Sequence, residues 1–529
     1  MVTVRDAAYE LFRSLGMTTV FGNPGSTELA MLDRFPADFR YLLGLQEAVV
    51  VGMADGYAQA TGRPALANLH TTPGVGNAMG AIFNARANRS PVVITAGQQT
   101  RAQITGEALL TNVDATALPK PLVKWSAEPA RAEDVPAVLA RAYHIAAAPP
   151  RGPVFVSLPM DDWAAEADPR STAGALGRSV RSGAVPDPAA MRDLAGRLAR
   201  ATRPALVVGG VLDADGGWPA AVALAERARM AVYGAPLEGR SGFPEDHPLY
   251  RGALLPAMAP LSRQLEGHDL VLVAGAPVFR YYPHIPGSVL PDGAELVQLT
   301  EDPDEAARAL TGQAILGNPA AALRTLAESV PVSDRPYPEP AMAPPAADLA
   351  GTPLSPAAVY TVLAKVLPAE TVVVNESPSS ASVLRQYLPT QRPGGYFFGA
   401  GGGLGFGLPA AIGVQLADPT RPVVAVLGDG SIQYAITALW TAATYRVPIT
   451  VVVMSNREYG ILRWFAGAEH VTGVPGLELP GLDSLRIAEA YGVPGVRPAS
   501  AGELAEAVRD AVAADGPRLI DVDLVLGAG

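Results

Sequence analysis

The stretch Pro422-Val423-Val424-Ala425-Val426-Leu427-Gly428-Asp429-Gly430-Ser431 reads as a buried strand that breaks into a glycine turn around an acid. A second apolar run, Pro448 to Met454, ends in Ser455-Asn456, and the intervening residues Ala435 to Tyr445 carry a helical pattern. A β-α-β unit of this kind puts both strand ends on one edge of a parallel sheet, where open α/β folds bind ligands. Asp429 and Asn456, 27 positions apart, then offer two hard oxygens. That pair suits a magnesium ion which keeps its other positions for water and a substrate phosphate. The backbone N–H groups of Gly430 and Ser431, at a helix start, would cradle the phosphate oxygens. By itself Gly-Asp-Gly-Ser also suits a plain tight turn. The amide on the second strand of the same unit tips the reading toward a metal–phosphate site.

Bulk properties bound the rest. A chain of 529 residues exceeds one core, and about three domains are expected. Hydrophobic content of 49% against 17% charge describes a packed globular protein. The roughly 18-residue apolar run of a membrane helix is missing, and Met1-Val-Thr-Val-Arg-Asp does not read as a signal peptide. The expectation is no membrane partner and a cytoplasmic location. Cysteine is absent, which excludes disulfides, thiolate metal sites and cysteine nucleophiles. A net charge of -11 argues against nucleic acid as a partner.

Two stretches interrupt the alternation of strands and helices. Residues 164–190 are rich in Ala, Asp, Ser and Gly without a clear apolar period, and residues 331–356 hold eight prolines, which predicts an extended surface linker. The expected domains are 1–180, 181–340 and 341–529, all parallel-sheet α/β. In the first, Pro64 to Leu69, Gly76 to Ala87 and Pro91 to Ala96 repeat the plan of Pro422 to Met454. The middle has strands at Ala205 to Gly209, Leu270 to Ala274 and Leu296 to Leu299, with a helix near Trp218 to Arg229. Its Gly209-Gly210 and Gly275-Ala276 ends lack G-x-G-x-x-G and read as structural turns.

Among six histidines, His70 stands where a strand ends, the usual place for a catalytic side chain, though a histidine capping a turn fits equally. Glu47 lies inside Leu42-Leu43-Gly44-Leu45-Gln46-Glu47-Ala48-Val49-Val50. Burial would raise its pKa, which suits proton shuttling near neutral pH; a helix-start carboxylate reaching solvent is the alternative. Asn23-Pro24-Gly25-Ser26 makes another turn at a strand end.

Together, Gly22-Asn23-Pro24-Gly25-Ser26, Leu45-Gln46-Glu47-Ala48, His70, Gly428-Asp429-Gly430-Ser431 and Asn456 resemble the thiamine-diphosphate-dependent 2-oxoacid decarboxylases, in particular the branch acting on benzoylformate. Phrases at 54–60, 96–101, 109–114 and 462–467 extend the resemblance nearly end to end. It implies three α/β domains (pyrimidine-binding, central, diphosphate-binding), thiamine diphosphate with magnesium or calcium, and conversion of benzoylformate to benzaldehyde and carbon dioxide through an ylid and an enamine. Glu47 would act on the aminopyrimidine and Leu404 would bend the cofactor. Asp429, Asn456 and the Glu458 carbonyl would hold the metal. Ser379, Gly402, Gly430, Ser431, Tyr434, Tyr459 and Gly460 would complete the cofactor site. Ser26 would take the substrate carboxylate and His70 its protons. Leu110, Phe398, Leu462, Phe465 and Leu477 would wall an aryl pocket. A small-molecule 2-oxoacid is the expected partner, in a homodimer at least, with a homotetramer expected.

The chain departs from that branch twice. Tyr282 stands where a second active-site histidine belongs, with His284 two residues on, so either is a candidate for the last proton transfer. Pro378 replaces a threonine at the cofactor edge. The alternatives are a decarboxylase or carboligase for another 2-oxoacid, an acetolactate-synthase-like enzyme, and a cofactor-binding subunit without catalysis.

Overall fold

The computed structural model describes residues 2–524. The chain divides into two compact units. The first takes the chain up to Arg181, Leu349–Ala381 and Gly401 onward; the second takes Ser182–Asp348 and Ser382–Ala400.

The first unit begins with β1 (Thr19–Gly22), β2 (Arg40–Leu43), β3 (Ala65–Leu69), β4 (Val92–Gln98), β5 (Ser126–Ala127) and β6 (Val154–Pro159), in the order β2-β1-β3-β4-β6-β5. Every pairing is parallel. β3 and β4 are buried throughout and largely apolar, and the buried Asn68 amide donates to the Thr95 hydroxyl of the neighbouring strand. On one side of the sheet, Leu11, Phe12, Val20, Leu66, Val93, Leu139 and Val156 share a core. Because β1 has β2 on one side and β3 on the other, the carboxyl ends of these three strands flank a topological switch point.

In the second unit, β7 (Pro204–Val208), β8 (Ala231–Gly234), β9 (Tyr250–Ala253), β10 (Leu270–Ala274), β11 (Glu295–Thr300) and β12 (Gln313–Leu316) form a sheet ordered β12-β11-β10-β7-β8-β9. The Gly210 N–H is taken up by Glu238 at 2.7 Å, so the glycine pair closes a turn.

The chain continues through β13 (Val372–Glu376), β14 (Tyr396–Phe398, in the second unit), β15 (Val423–Gly428), β16 (Ile449–Ser455), β17 (Gly495–Val496) and β18 (Arg518–Asp523). In the first unit these run β13-β15-β16-β18-β17, all parallel. The helices Glu47–Thr61 and Gly407–Ala417 pack against each other within this unit. A Cβ on Gly413 would lie 2.0 Å from the Met53 carbonyl and one on Gly56 2.2 Å from that of Ala410, so only glycines permit the crossing.

Two sequence expectations shift. The helix expected from Ala435 starts at Ala438, because the chain first spends a short helix on Asp429–Gln433. The 164–190 stretch contains a helix, Pro169–Leu176, whose N-cap Asp168 accepts from Arg170 and Ser171. Proline at the first helical position and an Asp cap start it despite its polar composition. From residue 331 to 355 there is neither helix nor a multi-residue strand.

Candidate active site

Glu47 opens a helix that the Gln46 side chain caps, accepting from the Ala48 and Val49 N–H groups. Its carboxylate is buried at 7% exposure rather than solvated. Two side-chain amides hold it: Asn23 Nδ2 donates to Oε1 at 3.1 Å and Asn77 Nδ2 to Oε2 at 3.0 Å. Asn23 follows β1, and Asn77 lies on the helix Thr71–Ala87 that follows β3, so the switch point gathers all three.

His70 is the N-cap residue of that same helix. Its Nδ1 lies 2.9 Å from Glu28 Oε2 and 3.2 Å from Thr27 Oγ1. Glu28 is 1% exposed and collects further donors: the Gly25 N–H at 2.7 Å, the Gly97 N–H at 2.7 Å and the Thr27 hydroxyl at 2.8 Å. An ionised carboxylate only accepts, so the proton of a neutral His70 ring sits on Nδ1 and Nε2 is the acceptor. Gly25 makes room for the ring, since a Cβ there would lie 2.1 Å from His70 Nδ1. Ser26 begins the short turn Ser26–Glu28 and is exposed. No local motif in the sequence marks Glu28, Asn77 or Thr27.

At the other sheet, Asp429 and Asn456 follow the adjacent strands β15 and β16. Asp429 Oδ2 accepts from the Arg457 N–H at 2.6 Å and Oδ1 from the Gly430 N–H at 2.8 Å. Burial pushes Asp429 above the ordinary carboxylate value, opposed by those two N–H groups. Asn456 Oδ1 accepts from the Glu458 N–H at 3.2 Å, and the Glu458 carboxylate pairs with Arg463. The three expected metal ligands therefore lie within one linked pair of strand ends. Among the described residues no three His, Asp or Glu side chains cluster as a metal site, so a hard cation at this place would need an amide and a backbone oxygen beside Asp429. Gly460 keeps this pocket open: a Cβ would come within 2.7 Å of Asn456 Nδ2 and 3.0 Å of Ser379 Oγ. The residues fit a metal held against a phosphate group.

Tyr459 hydrogen-bonds Tyr434, which raises the Tyr459 phenol above its ordinary value, with burial adding to the effect. Tyr434 is 55% exposed. Tyr459 also donates its N–H to the Leu477 carbonyl at 2.8 Å, which sets the buried Leu477 beside the start of the helix Gly460–Ala468. That helix carries Leu462 and Phe465 and buries none of its residues. Leu110 takes φ of +68°, a conformation that costs an L-residue about 1–2 kcal/mol.

Leu404 lies in Gly402–Gly407, partly buried. The loop is held by Glu376, at the end of β13, whose Oε1 accepts from the Gly405 and Phe406 N–H groups at 2.8 and 2.9 Å and whose Oε2 accepts from Gly407 at 3.1 Å. Burial pushes Glu376 up to about 7, and the same N–H groups pull it back. Pro378 and Ser379 form a short turn after this strand.

Tyr282, His284 and Phe398 lie in the second unit. Tyr282 is 61% exposed and His284 is exposed. Phe398 donates its N–H to the Gly239 carbonyl at 2.8 Å.

The comparisons with known proteins agree along the chain. Residues 2–118 match the thiamine pyrophosphate enzyme N-terminal TPP binding domain, 191–326 its central domain and 379–522 its C-terminal TPP binding domain. The chain is 52% identical over 522 residues to benzoylformate decarboxylase of Pseudomonas aeruginosa, covering 99% of each. A solved thiamine diphosphate-dependent 4-hydroxybenzoylformate decarboxylase of Rhodococcus jostii RHA1 superposes with a TM-score of 0.97 at 48% identity, covering 99% of both chains. Benzoylformate decarboxylase from Polynucleobacter necessarius superposes with a TM-score of 0.97 at 40% identity, covering 100% of both.

Proposed function

We propose that this chain, which belongs to the thiamine pyrophosphate enzymes, is a thiamine-diphosphate-dependent carboxy-lyase that converts benzoylformate to benzaldehyde and carbon dioxide. The observation that carries the reading is the buried Glu47 carboxylate, held by Asn23 and Asn77 on one sheet edge beside the Glu28–His70 pair. When bound, thiamine diphosphate supplies the electron sink for the charge left behind as carbon dioxide departs.

The chain's own residues do the rest. Glu47, fixed by two amides, holds a proton at the aminopyrimidine. Leu404 shapes the cofactor's conformation. Asp429, the Asn456 amide oxygen and the Glu458 carbonyl take the magnesium or calcium ion. Ser379, Gly402, Gly430, Ser431, Tyr434, Tyr459 and Gly460 bind the cofactor around it. Ser26 orients the substrate carboxylate, and His70 moves protons through Nε2, its ring turned by Glu28. Leu110, Phe398, Leu462, Phe465 and Leu477 wall the ring-binding pocket, where burial of a phenyl group stabilises by about 2 kcal/mol. His284, or a water held by Tyr282, delivers the proton that completes the aldehyde.

The proposed domain limits lie near 180 and 340, and the proposed working form is a homodimer at least, with a homotetramer expected. A cytoplasmic site suits a cofactor whose charged diphosphate crosses membranes poorly. Among the described residues no helix is long and apolar enough to span a membrane. Protein stripped by chelator and dialysis should regain aldehyde release only when thiamine diphosphate and a divalent ion are both restored. Full activity with neither would defeat the reading.

A further inference from the structure

We propose that Asn84 and Glu376 are the two anchors of the loop Gly403–Gly407 and so hold Leu404 in its working position, an inference that rests on the role given to Leu404 above. Asn84 is 2% exposed and meets Gly403 twice: its Nδ2 donates to the Gly403 carbonyl at 2.8 Å, and its Oδ1 accepts the Gly403 N–H at 3.1 Å. A carboxamide carries a donor and an acceptor side by side, so it satisfies both backbone groups of one residue. On the other side of Leu404, the Glu376 carboxylate takes the N–H groups of Gly405, Phe406 and Gly407.

Leu404 thus sits between a residue pinned at both its backbone groups and three residues pinned by one acid. Gly405 takes φ of +98° at this bend, which a side chain would resist. A side chain acts as a wedge only if its Cα is fixed, because a misplacement of about 1 Å can cost roughly a hundredfold in rate. Asn84 lies seven residues after Asn77, the partner of Glu47, and fourteen after His70. Seven residues are nearly two helical turns, so one face of the helix Thr71–Ala87 supports both the Glu47 carboxylate and the Leu404 loop. Neither Asn84 nor Glu376 is given any role on the reacting atoms; both are positioning residues.

The test compares Asn84→Ala, Glu376→Gln, Glu376→Asp and Leu404→Ala with the parent protein, each loaded with thiamine diphosphate and magnesium. Three quantities are read: cofactor affinity by tryptophan fluorescence, the thermal midpoint, and hydrogen–deuterium exchange at thiazolium C2 of the bound cofactor. Asn84→Ala and Glu376→Gln should bind the cofactor within about tenfold of parent affinity yet exchange C2–H roughly ten- to hundredfold more slowly. Leu404→Ala should show the same slowing. A purely structural role would lower the midpoint and leave exchange in the folded, loaded protein unchanged. Parent-like exchange in Asn84→Ala and in the folded Glu376 variants, with Leu404→Ala slow, would overturn the inference alone. Parent-like exchange in Leu404→Ala would overturn the role of Leu404 and the inference with it. If Glu376→Gln does not fold, Glu376→Asp and Asn84→Ala decide.

Discussion

Glu28 Oε2 lies 2.9 Å from His70 Nδ1, across 42 residues of sequence. Four donors converge on this acid, which ties together the turn Ser26–Glu28, the Gly97 end of β4 and the imidazole. Glu28→Gln places an NH2 group against an N–H donor and loosens the ring. The expected result is a fall in kcat/KM for decarboxylation of about tenfold to a hundredfold, the usual effect of losing an orienting partner. Gly25→Ala should match it, since the new methyl displaces the ring. Parent-like kinetics in both variants would detach His70 from the chemistry.

Asp429→Ala removes the only carboxylate assigned to the metal. Cofactor and magnesium requirements should both rise steeply, by at least about tenfold, in titrations that follow fluorescence or activity. Unaltered affinity would mean that Asp429 serves only to tie the Arg457 N–H to the end of β15.

Replacing His284 with alanine should reduce aldehyde release while leaving decarboxylation to an artificial electron acceptor largely intact. Only the last protonation is lost in that variant. Equal loss in both assays, or none in either, would remove His284 from the mechanism.

Stability carries a signature of Glu376. Its folded value of about 7 stands above the ordinary 4.5, so the folded chain keeps a proton that the unfolded chain has released. The associated stabilisation is complete below about 4.5 and is lost as the pH rises through 7. Relative to Glu376→Gln, the parent should therefore lose up to about 3 kcal/mol between pH 4.5 and 7, and nothing more above pH 8. Chemical denaturation of both proteins across that range checks it; parallel curves would place the ionised acid equally well in both states.

The β-α-β unit around Asp429 was legible because burial on both faces turns β15 and β16 into unbroken apolar runs closed by polar residues. Its strand limits fall within one residue of the expected ones. His70 and Glu47 stood out for the same local reason. Glu28 did not, since its value depends on β1 and β3 being neighbours, which no local pattern states. The same holds for Asn84 and Gly403, 319 residues apart. The sequence does carry one signal of the shared face: His70, Asn77 and Asn84 recur every seven residues from the cap of a helix otherwise rich in Ala and Gly. The outer thirds join in one compact unit where two helices cross, with Gly56 against the Ala410 backbone and Gly413 against that of Met53, and no local pattern in the sequence states such a long-range approach.

Release of aldehyde from benzoylformate and from pyruvate, with thiamine diphosphate and magnesium saturating, bears most directly on the assigned reaction. Benzoylformate should be turned over with a kcat/KM at least about tenfold higher, since a buried phenyl ring gains roughly 2 kcal/mol over a methyl group. A preference for pyruvate, or no aldehyde from benzoylformate at all, would contradict it.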